Sequence, residues 1–177
     1  MNEYSDSIPL GHHSKKKGLR FRAWVMLVLP IAAILFQVFG PLCVSFLGYL
    51  EIPLLVTIYF AMTRRSQVAG IFIGAGIGLT QDALSHLPIG LLGMVKTLLG
   101  FTAASLGVRL DTENVLVRFS LGFVGLICHQ GLQWGLRHVL LGEAVAFDTL
   151  ATFLAAFANG AIAVPLFHLL DKLRENA

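Results

Sequence analysis

Gly70-Ile71-Phe72-Ile73-Gly74-Ala75-Gly76-Ile77-Gly78-Leu79-Thr80-Gln81-Asp82-Ala83-Leu84-Ser85-His86-Leu87-Pro88-Ile89-Gly90 is the stretch on which the fold turns. Gly70, Gly74 and Gly78 recur every fourth residue, with Gly76 beside them, in an otherwise apolar run. Each interior glycine weakens a helix in water by about 1 kcal/mol, whereas a membrane helix uses such a stripe to let a neighbouring backbone approach closely. Asp82 ends the run, and Pro88 suits the start of the next helix, where its missing N–H has no partner to lose. Lys96 then lies about two turns into a second apolar run. The pattern predicts a tight hairpin of two membrane helices, with Asp82 and Lys96 flanking it and pairing across it.

The rest of the chain agrees. Its 177 residues are 56% hydrophobic and 13% charged, against about 25% charged in soluble domains, and the mean hydropathy is +0.77. Disorder requires low hydrophobicity, and a disulfide scaffold requires many cysteines. Cys43 and Cys128 each sit in an apolar run without a CxxC neighbour, which reads as small apolar-facing thiols.

Uncharged intervals measure the spans. Arg22 to Glu51 encloses 28 uncharged residues, Arg118 to Arg137 encloses 18, and Asp148 to Asp171 encloses 22. A hydrocarbon core of about 30 Å needs roughly 20 helical residues. Trp24–Leu47, Arg118–Val139 and Phe147–Leu170 are therefore spans, and Leu50–Met62, Gln67–Leu84 and Ile89–Leu110 read as three more. The second is short unless Glu51 reaches one interface and Arg64 snorkels to the other. The expectation is an all-α, polytopic bundle of six transmembrane helices over residues 23–174, preceded by a flexible basic tail, 1–22.

With both termini in the cytoplasm, Lys15, Lys16, Lys17, Arg20, Arg22, Arg64, Arg65, Arg109, Arg118, Lys172 and Arg174 lie inside, eleven of the thirteen Lys and Arg residues. Positive-inside asymmetry demands this orientation. The basic cluster before Trp24 orients the first helix and meets anionic headgroups of the lipid bilayer. No base-reading or stacking groups accompany it, so the sequence pI of 9.1 does not indicate nucleic acid.

Few residues here carry chemistry. HExxH, GxSxG and GxxxxGK[ST] are absent, and Ser85 with His86, neighbours in sequence, make a poor nucleophile and base. The expectation is no enzyme, no cofactor and no metal; Cys128 and His129 are adjacent and face different ways, short of the three or four ligands zinc takes. His129 and Gln133 share one face of the fifth helix, Gln130 and Trp134 another, and interhelical hydrogen bonding is the default for the amides. Gly131 and Gly135 repeat the four-residue spacing there.

The motif G-x-G-L-T-Q-D-A-L-S-x-x-P-I-G-L-L-G over Gly76–Gly93, within Gly74 to Gly107, resembles the rod shape-determining protein MreD family. Chain length, the short second helix ending in Arg64-Arg65, and the Asn159-Gly160…Pro165-Leu166 run are similar too. The family commonly opens its second helix with Pro-Asp; here Leu54 follows Pro53, and Glu51 is the nearby acid. The resemblance implies a non-catalytic inner-membrane scaffold of the bacterial elongation machinery, binding MreC and, through it, MreB, RodA and its transpeptidase in lateral peptidoglycan synthesis. It also implies a fold similar to the substrate-binding subunits of energy-coupling-factor transporters. Gly70, Gly74 and Gly78 then serve close helix packing, within the bundle or against a partner's helix, and Asp82, Pro88 and Gly90 shape the outer hairpin.

The rival reading is a substrate-binding membrane subunit of a vitamin-type transporter. It requires a pocket lined by convergent polar groups, for which Asp82, His86, Lys96, His129, Gln133 and Arg137 are the available residues.

Overall fold

A computed structural model describes residues 23–85 and 88–175, and all regular structure among them is helical. The helices are α1 (Ala23–Cys43), α2 (Ile52–Arg64), α3 (Gln67–Leu84), α4 (Leu91–Leu106), α5 (Val115–Leu140) and α6 (Thr149–Glu175), with a 3-10 turn at Ser45–Tyr49. Four helical stretches are long and apolar enough to cross a membrane: Trp24–Cys43, Phe46–Arg64, Val115–Leu140 and Thr149–Leu173. Leu91–Leu106 is apolar but shorter. Apolar side chains cover the outer faces, Leu27, Phe39, Phe72 and Phe153 among them, as lipid solvent requires and water does not. The expected tail, 1–22, and His86 lie outside the described residues.

Local chemistry sets the helix ends, and several differ from the expected spans. The first helix stops at Cys43, not Leu47, because the chain reverses through the 3-10 turn. Pro53 sits in the first turn of α2, where it forfeits no hydrogen bond. Arg65, at φ 50°, ends α2 in the left-handed region, and Ser66 Oγ then accepts from Ala69 N at 3.4 Å to open α3. Gly90, at φ 101°, delays α4 to Leu91. Asn114 Oδ1 accepts from Leu116 N at 2.9 Å, so α5 starts three residues early and takes Arg118 inside it. Asp148 Oδ1 accepts from Ala151 N at 3.0 Å at the start of α6.

Two hairpins, α3–α4 and α5–α6, flank α2, the most enclosed helix, in which every residue from Pro53 to Met62 is buried. Alpha1 lies against α2 and α3 along one face only. The C-termini of α2, α4 and α6 gather with the N-terminus of α5 at one end of the bundle. Three contacts fix this arrangement: Gly107 against Met62, Gln67 against Ser105, and Arg118 against Asp171. Arg64, Arg65, Arg109, Arg118 and Lys172 all belong to that end. The opposite end carries the turn between α3 and α4 and the loop between α5 and α6.

Alpha2 begins inside the bundle rather than at its edge. Asn159 of α6 accepts from Glu51 N at 2.9 Å and donates to the Tyr49 carbonyl at 2.9 Å. Ten residues separate Asn159 from the start of α6, about 15 Å of helix. Glu51 therefore does not lie at an interface, as the span count supposed. An amide side chain supplies the hydrogen bonds that water would supply at a surface, which is what buried irregular backbone in an apolar solvent demands.

Candidate functional site

Asp82 occupies the last turn of α3 and is 1% exposed. Its Oδ2 accepts from Gly90 N and Gly93 N, and its Oδ1 from Leu92 N, each at 3.0 Å. These are unpaired donors of the first turn of α4, and the helix dipole favours a carboxylate there. Gly90 has no side chain with which to cap the helix, so Asp82 caps it from the preceding helix. The expected pairing of Asp82 with Lys96 is thereby corrected: the carboxylate is taken up by backbone N–H groups, and no ion pair joins the two among the described residues. Pro88 contributes its carbonyl, which accepts from Leu91 N at 3.2 Å.

Lys96 is fully buried, and its Nζ donates to Gln81 Oε1 and lies 3.6 Å from Glu51 Oε2. Three helices contribute: α3 brings Gln81, α4 brings Lys96, and the N-terminus of α2 brings Glu51. Asn159 fixes Glu51 from α6, with its amide further tied to Ala155 O at 2.8 Å. A lone ammonium in hydrocarbon costs several kcal/mol, and pairing is the usual remedy. The sequence alone singles out Lys96, but neither its partner Gln81 nor the role of Asn159 in holding the Glu51 backbone. Only Asn159 carries a signal of position: it falls in the middle of the expected Phe147–Leu170 span, whereas Glu51 and Gln81 fall near span ends.

His129 of α5 is fully buried within electrostatic reach of Glu51 and Lys96, yet neither ring nitrogen has a hydrogen-bond partner. Glu51 Oε2 is likewise without a hydrogen bond. Gln133, one turn further on, is half-buried, and neither it nor Gln130 makes the interhelical hydrogen bond expected of these amides among the described residues. Trp134 instead donates to Val145 O at 2.8 Å and stacks on His138, closing the loop before α6.

At the opposite end a second polar group joins α2, α5 and α6. Asp171 accepts from Tyr59 OH at 2.7 Å and from Arg118 Nη2 at 2.5 Å, and Arg118 Nε donates to Thr112 O at 2.7 Å. In the sequence Arg118 and Asp171 read only as interval markers and, for Arg118, as an inside cation; here they tie α5 to α6, and Tyr59 ties that pair to α2.

The glycine stripe faces inward. A Cβ on Gly70 would strike the carbonyl of Gly100, one on Gly74 that of Lys96, and one on Gly78 would fall 2.7 Å from Gly93 Cα. Alpha4 thus fills the seam, which is not open to a partner's helix. The corresponding contact of α5 with α6 is at Gly122, where a Cβ would lie 2.8 Å from Asn159 O. Gly131 and Gly135 have nothing within 4 Å of an added Cβ, so their spacing marks no seam in this chain.

The arrangement can hold helices in fixed register and keep charge inside a bilayer. Among the described residues no three His, Cys, Asp or Glu side chains gather as a metal-binding group. A groove of 680 Å³ between α4 and α5 is lined almost wholly by apolar side chains, Thr102 and Ser120 being its hydroxyls. No family model matches the chain, nor does any curated protein or solved structure.

Proposed function

We propose that the chain is a non-catalytic scaffold of the bacterial elongation machinery, set in the inner membrane as six spans with both termini cytoplasmic. In this reading it binds MreC and supports rod shape and lateral peptidoglycan synthesis through MreB, RodA and its transpeptidase. The observation that carries it is the Gly74–Gly107 motif, whose Asp, Pro and Gly residues resemble the MreD family. Two further features support it. Asp82, Lys96 and Gln81 are committed to one another's helices rather than to an open pocket, and the lipid-facing surface of α1 is left free for a partner's single helix. The basic residues gathered at one end support a cytoplasmic placement of that end. The reading further implies a likeness in fold to the substrate-binding subunits of energy-coupling-factor transporters.

Depletion of the protein from its host tests the proposal: rods should round up while membrane transport of vitamins is unaffected. Normal rods after full depletion would contradict it. A transporter subunit is the second reading, favoured by one observation, the unpartnered buried nitrogens of His129 beside Glu51.

A further inference from the structure

The groove between α4 and α5 adjoins a basic hollow at Leu106. This hollow, of 520 Å³, is lined by Arg65, Gln67, Ser105 and Arg109, and Leu106 belongs to both walls. Neither guanidinium has a carboxylate partner among the described residues. Gln67 and Ser105, bonded to each other at 3.0 Å, add further polar groups. No acidic side chain lines either space.

The apolar groove runs from Leu98 to Leu106 on α4 and from Leu116 to Leu132 on α5, about 12 Å and 24 Å of helix, against a hydrocarbon core of about 30 Å. It therefore stops short of the full core. A helix about 10 Å across and 24 Å long takes up about 1,900 Å³, more than twice the volume of the groove. An acyl chain needs neither the full depth nor that width. Two unpaired cations at the mouth of an apolar channel complement one kind of molecule, an amphiphile with an anionic head.

We propose that this groove and its basic mouth form a binding site for an anionic phospholipid of the surrounding bilayer. One acyl chain lies between α4 and α5, and the phosphate sits on Arg65 and Arg109. The inference is independent of the scaffold reading, since it needs only a chain embedded in lipid.

The test is native mass spectrometry of the purified full-length chain in mild detergent. Phosphatidylglycerol and phosphatidylcholine of identical acyl composition are titrated in separately. Phosphatidylglycerol should be retained preferentially. Each guanidinium removed should lower that preference about fivefold, so that Arg65→Gln with Arg109→Gln abolishes it while phosphatidylcholine retention is unchanged. Ser120→Trp or Thr102→Phe, which fill the groove from exposed positions, should reduce retention of both lipids; two variants guard against one failing to fold. Equal retention of the two lipids by the wild type would overturn the proposal. So would a preference that survives loss of both arginines, or groove-filled variants that fold and bind as before.

Discussion

Lys96, in the first half of α4, lies 3.6 Å from Glu51, the residue on which α2 begins. Neither group is at a surface: the lysine side chain is wholly buried and that of the glutamate only 16% exposed. The pair sits where two irregularities coincide, a helix starting inside the bundle and a cation within an apolar helix. Each offsets the other's desolvation; Gln81 accepts from Lys96 Nζ, and Asn159 accepts from the Glu51 backbone N–H.

Removing one member should be worse than neutralising both. Lys96→Ala leaves a carboxylate facing apolar neighbours, a loss of about 3–5 kcal/mol when a buried pair is broken. Glu51→Gln combined with Lys96→Met should lose much less. Thermal unfolding in detergent, followed by circular dichroism, checks the order; a double variant no better than Lys96→Ala would count against the pairing.

Asp82 should matter through backbone donors, not through Lys96. Asp82→Ala orphans three N–H groups at the start of α4, and each buried orphan costs about 1–3 kcal/mol. Asp82→Asn keeps acceptor capacity without the charge and should fall between wild type and alanine. Folded yield by size-exclusion chromatography reads the series, and equal yields of Asp82→Ala and wild type would refute the cap.

The glycines of the chain should divide by seam rather than by spacing. Gly74→Leu and Gly78→Leu must force α3 away from the α4 backbone and should abolish the folded species. Gly76→Leu, Gly131→Leu and Gly135→Leu project into open space and should leave the elution profile unchanged. A monodisperse, stable Gly74→Leu protein would contradict the close approach described above.

Asn159→Leu is close in size but satisfies neither Glu51 N nor Tyr49 O. A loss of about 2–5 kcal/mol is expected from the two orphaned backbone groups. Faster hydrogen exchange should be confined to the 3-10 turn and the first turn of α2. Uniformly faster exchange would show that Asn159 acts on the whole bundle instead.

Hydropathy was legible because it depends on runs: the all-helical class and the long apolar stretches follow from uncharged intervals alone. The α3–α4 hairpin was legible for the same reason, with Gly70, Gly74 and Gly78 announcing a close neighbour. Which neighbour was not, since a glycine stripe specifies distance and not identity. The partner of Lys96 was misread because nearness in sequence favoured Asp82, whereas α2 carries Glu51 into the bundle from forty-five positions away. The bonding role of Asn159 was not legible because an amide adds no charge to an interval, although its depth alone made it expensive to leave unbonded. On α5 the visible Gly131–Gly135 spacing drew attention from Gly122, whose contact depends on the register of α6.

In the scaffold reading the bundle holds partners and does not capture a solute. Purifying the tagged chain from its own host in mild detergent, and identifying what accompanies it by mass spectrometry, tests this most directly. The scaffold account predicts recovery of MreC, with or without the wall synthases. Recovery of a transporter's ATPase and coupling subunits in its place would contradict it, and would make His129, Glu51 and Lys96 the floor of a ligand site.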